Sequence, residues 1–213
     1  MKTSVLTLVR DRRAHLVNLI HGLNAQQVPP DELVIACMQP EVEHDLPATV
    51  FPVRQLRVAG EALPLARARN EAATRAAHDG LIFLDVDCIP SPALVRRYRD
   101  ALVGDSALYM GEVRYLPAGA VRLDAGGGLD FARLDALAHA HPARPGLGDE
   151  DVEHEPDPGQ LWGLSFALMR ADHERAGGFD EAYEGYGGEE TDYAWRLAAA
   201  DLPFYWLAGA RAW

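Results

Sequence analysis

Three short apolar runs punctuate the first half of the chain: Val5 to Val9, Leu33 to Met38 and Leu81 to Leu84. Each is bounded by turn-forming or charged residues, which predicts strands buried on both faces. Between them the pattern turns helical. Arg12 to Leu23 sets Leu16, Leu19, Ile20 and Leu23 on one face, and Leu63 to Ala77 is rich in Ala, Leu, Arg and Glu. Strands alternating with helices in this way predict an α/β fold: a mostly parallel, Rossmann-like central sheet flanked by helices and wound by right-handed crossovers.

The middle of the chain breaks the pattern. From Pro117 to Gly159 it carries Gly126-Gly127-Gly128, several prolines and the acidic stretch Gly148 to Glu155, with one modest helix near Leu129 to His139. This reads as a partly mobile excursion from the core, either a solvated loop or, more sharply, an active-site lid. Beyond it, Leu161 to Arg170 resumes a strand-like pattern. A turn-rich stretch from Gly177 to Gly188 then leads into a helix starting near Glu189, and Phe204 to Ala208 forms the last apolar run.

Composition narrows the function. At 213 residues, with 48% hydrophobic and 24% charged, the chain reads as one soluble globular domain. No segment approaches the length of a membrane span. Met1 runs directly into the first apolar run without a signal-peptide pattern, so a cytoplasmic address is expected. Cys37 and Cys88 sit in apolar runs and read as buried thiols. A net charge of -12 with only 20 Lys and Arg excludes a general nucleic-acid surface.

Particular carboxylates carry the candidate chemistry. The apolar run ending in Asp85-Val86-Asp87 places two acids one residue apart, and strand alternation would turn both to one face. Ligands of an open α/β sheet bind at the carboxyl ends of its strands. Two hard oxygen donors there suit Mn2+ or Mg2+ bridging to phosphate oxygens. The pair also fits a plain turn before Pro90 and Pro92, and Asp-x-Asp after a strand occurs in haloacid-dehalogenase-like phosphatases too. In those enzymes the pair follows the first strand and is followed by Gly or Thr residues, which this chain lacks.

A second constellation separates these readings. Gly177-Gly178-Phe179-Asp180-Glu181 is followed by Gly185-Tyr186-Gly187-Gly188-Glu189-Glu190, then Asp192 and Arg196. The glycines permit tight backbone beside a ligand, and acids opening a helix also suit its macrodipole without any function.

In order, the strand, Asp-Val-Asp, the insertion, Trp162-Gly163, Gly-Gly-Phe-Asp, Gly-Gly-Glu-Glu and Arg196 resemble the inverting GT-A glycosyltransferases. The likeness is to family-2 enzymes with a galactosyltransferase-like carboxyl-terminal half, and it covers nearly the whole chain. It implies residues 1–116 as a nucleotide-binding half, 117–160 as a mobile insertion and 161–213 as an acceptor-binding half. The implied activity is metal-dependent, inverting transfer of a hexose from a nucleotide-diphosphate donor, with a UDP-sugar favoured, to a hydroxyl of a glycan or other acceptor. Asp85 and Asp87 would hold the metal. Val9, Arg10, Arg12, Gln39, Arg69, Asn70, Asp85 and Val86 would surround the nucleotide. Trp162, Gly163, Tyr186, Gly188 and Glu189 would face the sugar or acceptor, and Glu190 would be the general base.

The chain departs from that family at three points. Glu190 stands where relatives have Asp, and Gln39 falls where many carry a uracil-reading Asp. Relatives also place a metal-binding His just after the final strand, where this sequence reaches Trp213. The alternative reading is a non-catalytic sugar-nucleotide or glycan-binding module on the same scaffold.

Overall fold

The computed structural model describes residues 1–60, 62–124 and 128–213, so Gly126 and Gly127 of the expected glycine turn lie outside the described residues. The first half is wound as its pattern predicts. Strand β1 (Thr3–Val9) is buried along its whole length and pairs in parallel with β2 (Glu32–Cys37) and β4 (Gly80–Leu84). Strand β3 (Val53–Arg57) extends the sheet in parallel beyond β2.

Strand alternation sorts the core into two layers. Val5 and Val9 of β1 face one side with Leu16, Leu19, Ile20 and Leu23 of helix α1 (Arg13–Asn24) and with Leu94, Val95 and Tyr98 of α3 (Leu94–Leu102). Leu6 and Leu8 face the other side with Ala66, Ala68, Ala72 and Ala73 of α2 (Leu65–Arg75) and with Tyr193, Ala194 and Leu197 of α6 (Glu189–Ala199). Small alanines let α2 lie close to the sheet. Each fully buried Leu contributes about 1.5–3 kcal/mol, so the apolar stripe of α1 suffices to fix its face.

The second half makes the sheet mixed. Strand β8 (Ser165–Met169) runs antiparallel between β4 and β5 (Leu108–Tyr115), while β9 (Phe204–Ala212) lies parallel to β5. The full order is β3-β2-β1-β4-β8-β5-β9-β7, where β7 is Val152–Glu155, with the short β6 (His139–Ala140) pairing β5 off this path. Short helices α4 (Phe131–Leu137) and α5 (Arg170–Arg175) complete the elements. Parallel pairing thus holds for β1 to β4, and antiparallel pairs enter around β8 and at the edge.

The acidic stretch of the insertion is more ordered than a loop. Val152 to Glu155 form edge strand β7, antiparallel to β9, and Glu155 accepts a hydrogen bond from Trp206 Nε1 at 2.8 Å. Charged residues on an exposed edge strand discourage further pairing, so acidity and strand formation are compatible there. Among the described residues no helix is long and apolar enough to cross a membrane.

Candidate functional site

Strand β4 ends at Leu84, and Asp85-Val86-Asp87 lies in the turn that follows, not in the strand itself. Cys88 N donates to Asp85 O at 2.9 Å, and Asp85 N donates to Leu164 O at 2.9 Å, which fixes the turn against the loop before β8. The turn, rather than strand alternation, is therefore what brings both aspartates to one cleft of about 90 Å3. Arg10 and Arg12 enter the same cleft from the end of β1, and Tyr186 and Glu190 enter it from the start of α6. The two aspartates of the turn and Glu190 therefore line one cleft.

Arg69 of α2 joins the two sets. The residue is 2% exposed. Nη1 lies 3.0 Å from Glu189 Oε1, and Nη2 lies 3.2 Å from Glu190 Oε1 and 3.5 Å from Asp85 Oδ1. One cation among three carboxylates leaves the cluster with excess negative charge. Burial pushes the Asp85 carboxyl up to about 7 against the pull of Arg69, with Asp87 and Glu190 adding to the rise. Burial also raises Glu190, again opposed by Arg69 and assisted by Glu189. Asp87 is held by Arg12 Nη1 at 2.5 Å.

Gly163 explains how the long Glu side chain fits. A Cβ at this position would stand 2.6 Å from both Arg69 Nη2 and Glu190 Oε1. Only a residue without a side chain leaves that contact open. Gly188, at the N-cap of α6 with φ +91°, adopts a left-handed conformation that glycine tolerates, and a Cβ there would meet Tyr183. Tyr186 is 78% exposed and stands at the cleft, not in the core.

Several predicted residues lie elsewhere. Asn70 turns away from the cleft: Nδ2 donates to Phe179 O at 2.8 Å and Glu181 Oε1 at 2.9 Å, and Oδ1 accepts from Phe179 N at 2.8 Å. It fastens the Gly-Gly-Phe-Asp turn to α2. Gln39 has its amide occupied by Asp11 N at 2.8 Å and Glu43 Oε1 at 3.0 Å. It thereby supports the left-handed turn at Asp11, φ 56°. The Val9 side chain is in the core and its carbonyl accepts from Met38 N at 2.8 Å. Val86 packs into the same core while bordering the cleft. Glu189, 1% exposed, is turned inward to Arg69. Trp162 lies in a separate depression, where Arg144 Cζ sits 3.4 Å from its ring centroid and covers that face.

Sequence reasoning missed the apolar wall formed by Leu8, Met38, Leu63 and Leu65. Met38 directly follows β2, so the position just beyond a strand's carboxyl end was the available signal.

The oxygens of Asp85 and Asp87, in a cluster with surplus negative charge, fit a divalent cation. Among the described residues no group of three or more His, Cys, Asp and Glu is placed to hold one. Further coordination would then fall to phosphate oxygens and water. Strand β9 ends beside the acid pair, since Trp213 N donates to Ile89 O at 3.0 Å, two residues on from Asp87.

Comparison with known proteins bears on the fold. Residues 154–209 match the family model described as the N-terminal domain of galactosyltransferase. A 43-residue stretch is 45% identical to validoxylamine A glucosyltransferase of Streptomyces hygroscopicus subsp. jinggangensis, covering 20% of this chain and 10% of that protein. GalNAc-T7, solved with UDP, GalNAc and Mn2+, superposes with TM-score 0.70 at 17% identity, over 100% of this chain and 43% of its own. S. aureus TarS 1-349 gives 0.62 at 14% identity, over 98% and 60%. The catalytic domain of Drosophila beta1,4galactosyltransferase 7, in complex with xylobiose, gives 0.55 at 16% identity, over 95% and 63%. The chain spans less than two thirds of each of these proteins. Its architecture is the GT-A glycosyltransferase fold, with a galactosyltransferase-like segment built into the carboxyl-terminal part.

Proposed function

We propose that this chain is a glycosyltransferase that moves a sugar from a nucleotide-diphosphate donor, a UDP-sugar in the favoured case, to an acceptor hydroxyl with inversion. The observation carrying this reading is the convergence of Asp85, Asp87 and Glu190 on one cleft, bridged by the buried Arg69. The donor's diphosphate would lie by Asp85 and Asp87. Arg10 and Arg12 at the end of β1 and the apolar wall at Met38 would border its nucleoside.

Mn2+ or Mg2+ bound by Asp85 and Asp87 would neutralise charge on the departing diphosphate. Glu190 is the base. Its carboxylate takes the proton of the acceptor hydroxyl as that oxygen bonds to the anomeric carbon and the bond to the diphosphate breaks. Displacement from the face opposite the leaving group inverts the centre. A carboxyl raised by burial holds an abstracted proton more readily than an ordinary one. Arg69 orients it, and Gly163 gives it room. Tyr186, exposed at the cleft, offers a flat apolar face to a sugar ring.

The test is Glu190→Gln, followed by UDP release from a panel of UDP-sugars with Mn2+ and hydroxyl acceptors. Turnover at least about 100-fold below wild type is expected, the range of lost general-base catalysis. Unchanged turnover removes Glu190 from the mechanism. UDP binding without turnover by the wild-type chain supports the binding-module reading instead.

A further inference from the structure

Glu189 is the first acid of the pair that opens α6, and family likeness sends it to the acceptor. Its position points to other work. It is 1% exposed; Oε1 accepts from Arg69 Nη1 at 3.0 Å, and Oε2 is buried with no hydrogen-bond partner. A carboxylate enclosed in this way is retained only when a counter-ion accompanies it, and Arg69 is that counter-ion.

The rest of the guanidinium is equally constrained. Its Cζ lies 5.3 Å from the centroid of the Phe179 ring, which packs on its face. Nη2 reaches the cleft acids, shared between Glu190 at 3.2 Å and Asp85 at 3.5 Å. A planar fork is able to grip one carboxylate with two nitrogens. Here the fork is turned so that neither cleft acid receives that grip.

Taking Glu190 as the base, we propose that Glu189 is a positioning residue: by occupying Nη1 of Arg69 it leaves a single nitrogen to bridge Asp85 and Glu190, which orients the base without locking it and ties it to the donor-side acid. Glu189 itself touches neither donor nor acceptor. Gly163 completes the device, because its bare Cα leaves space where Nη2 and Glu190 Oε1 meet.

Two arms test the proposal on the whole chain. In the first, UDP release from UDP-sugars with Mn2+ is followed for Glu189→Gln. With only a neutral amide oxygen left to hold Nη1, Arg69 shifts toward Glu190, which keeps its charge; kcat falls about 10- to 100-fold while the donor KM stays within about threefold. Arg69→Lys keeps the charge but has one nitrogen, and shifts kcat the same way. Wild-type kcat in either variant, or a loss confined to KM, overturns the proposal.

The second arm needs no turnover. Glu190→Gln is compared by urea denaturation in wild type and in Glu189→Gln. In wild type it leaves the midpoint unchanged or raises it, because surplus charge is removed. In the second background it lowers the midpoint, because Arg69 loses the partner it has closed on. Equal effects in both backgrounds overturn the proposal. If Glu189→Gln does not fold, Arg69→Lys serves as the second background under the same criterion of unequal effects. A wild-type chain that releases no UDP from any donor defeats the base assignment alone, and the denaturation arm still decides whether Glu189 positions Arg69.

Discussion

Asp85→Asn should make the protein more stable while impairing its chemistry. The Asp85 carboxyl is raised from 3.8 to about 7, chiefly by burial and in spite of Arg69. Its folded-state value therefore exceeds the unfolded one, so the folded chain holds the proton more tightly. The stability this group contributes is complete below about pH 4 and is lost as pH rises through about 7. Ionisation in the folded state costs at most about 4 kcal/mol, at roughly 1.36 kcal/mol per pH unit. The side chain is 31% exposed, and solvent screening reduces this to about 1–2 kcal/mol. An amide at this position removes that penalty and leaves Arg69 its contacts with Glu189 and Glu190. At about 2–4 °C per kcal/mol for a chain of this size, Asp85→Asn should melt about 2–8 °C above wild type at pH 7.5. The scan is run in EDTA, so that stray cations do not stabilise the wild-type acid. The gap should close near pH 4, where both proteins are neutral at this position. A variant equal to or less stable than wild type at pH 7.5 refutes the electrostatic account of the cluster.

Gly163→Ala places a Cβ 2.6 Å from Arg69 Nη2 and Glu190 Oε1. Both are ends of side chains, so the fold should survive at a cost of about 1–2 kcal/mol, while kcat drops at least about tenfold. Melting curves together with UDP-release kinetics check this, and unaltered kcat contradicts it. Asn70→Ala removes three hydrogen bonds, two to the Phe179 backbone and one to the Glu181 carboxylate, and leaves the Phe179 N–H and C=O without that partner. Urea denaturation should show a loss of about 2–4 kcal/mol; a loss below about 0.5 kcal/mol would assign the Gly178 turn to other contacts.

The first half of the fold was legible because its strands and helices each carry an unambiguous period. Leu16, Leu19, Ile20 and Leu23 announce α1, and β1, β2 and β4 are mostly apolar and buried throughout. Strand β3 was missed because Val-Arg-Gln-Leu-Arg is only partly buried at the sheet edge, and β7 because its charges resemble a loop. Helix α3 was missed, although Leu94, Val95, Tyr98 and Leu102 carry a helical spacing. The motifs named acids that the fold brings to one cleft, but orientation was not encoded in them. Asn70 and Glu189 are polar residues beside the cleft whose partners lie more than 100 positions away, Phe179 for the first and Arg69 for the second. Such long-range pairings set which residues face the cleft, and no local pattern reports them.

Calorimetric titration of UDP into the chain, with and without Mn2+, tests the central claim most directly. Binding that requires Mn2+ and weakens at least about tenfold in Asp87→Asn is the predicted result, equivalent to about 1.4 kcal/mol or more. UDP binding that is indifferent to both Mn2+ and Asp87 would contradict it.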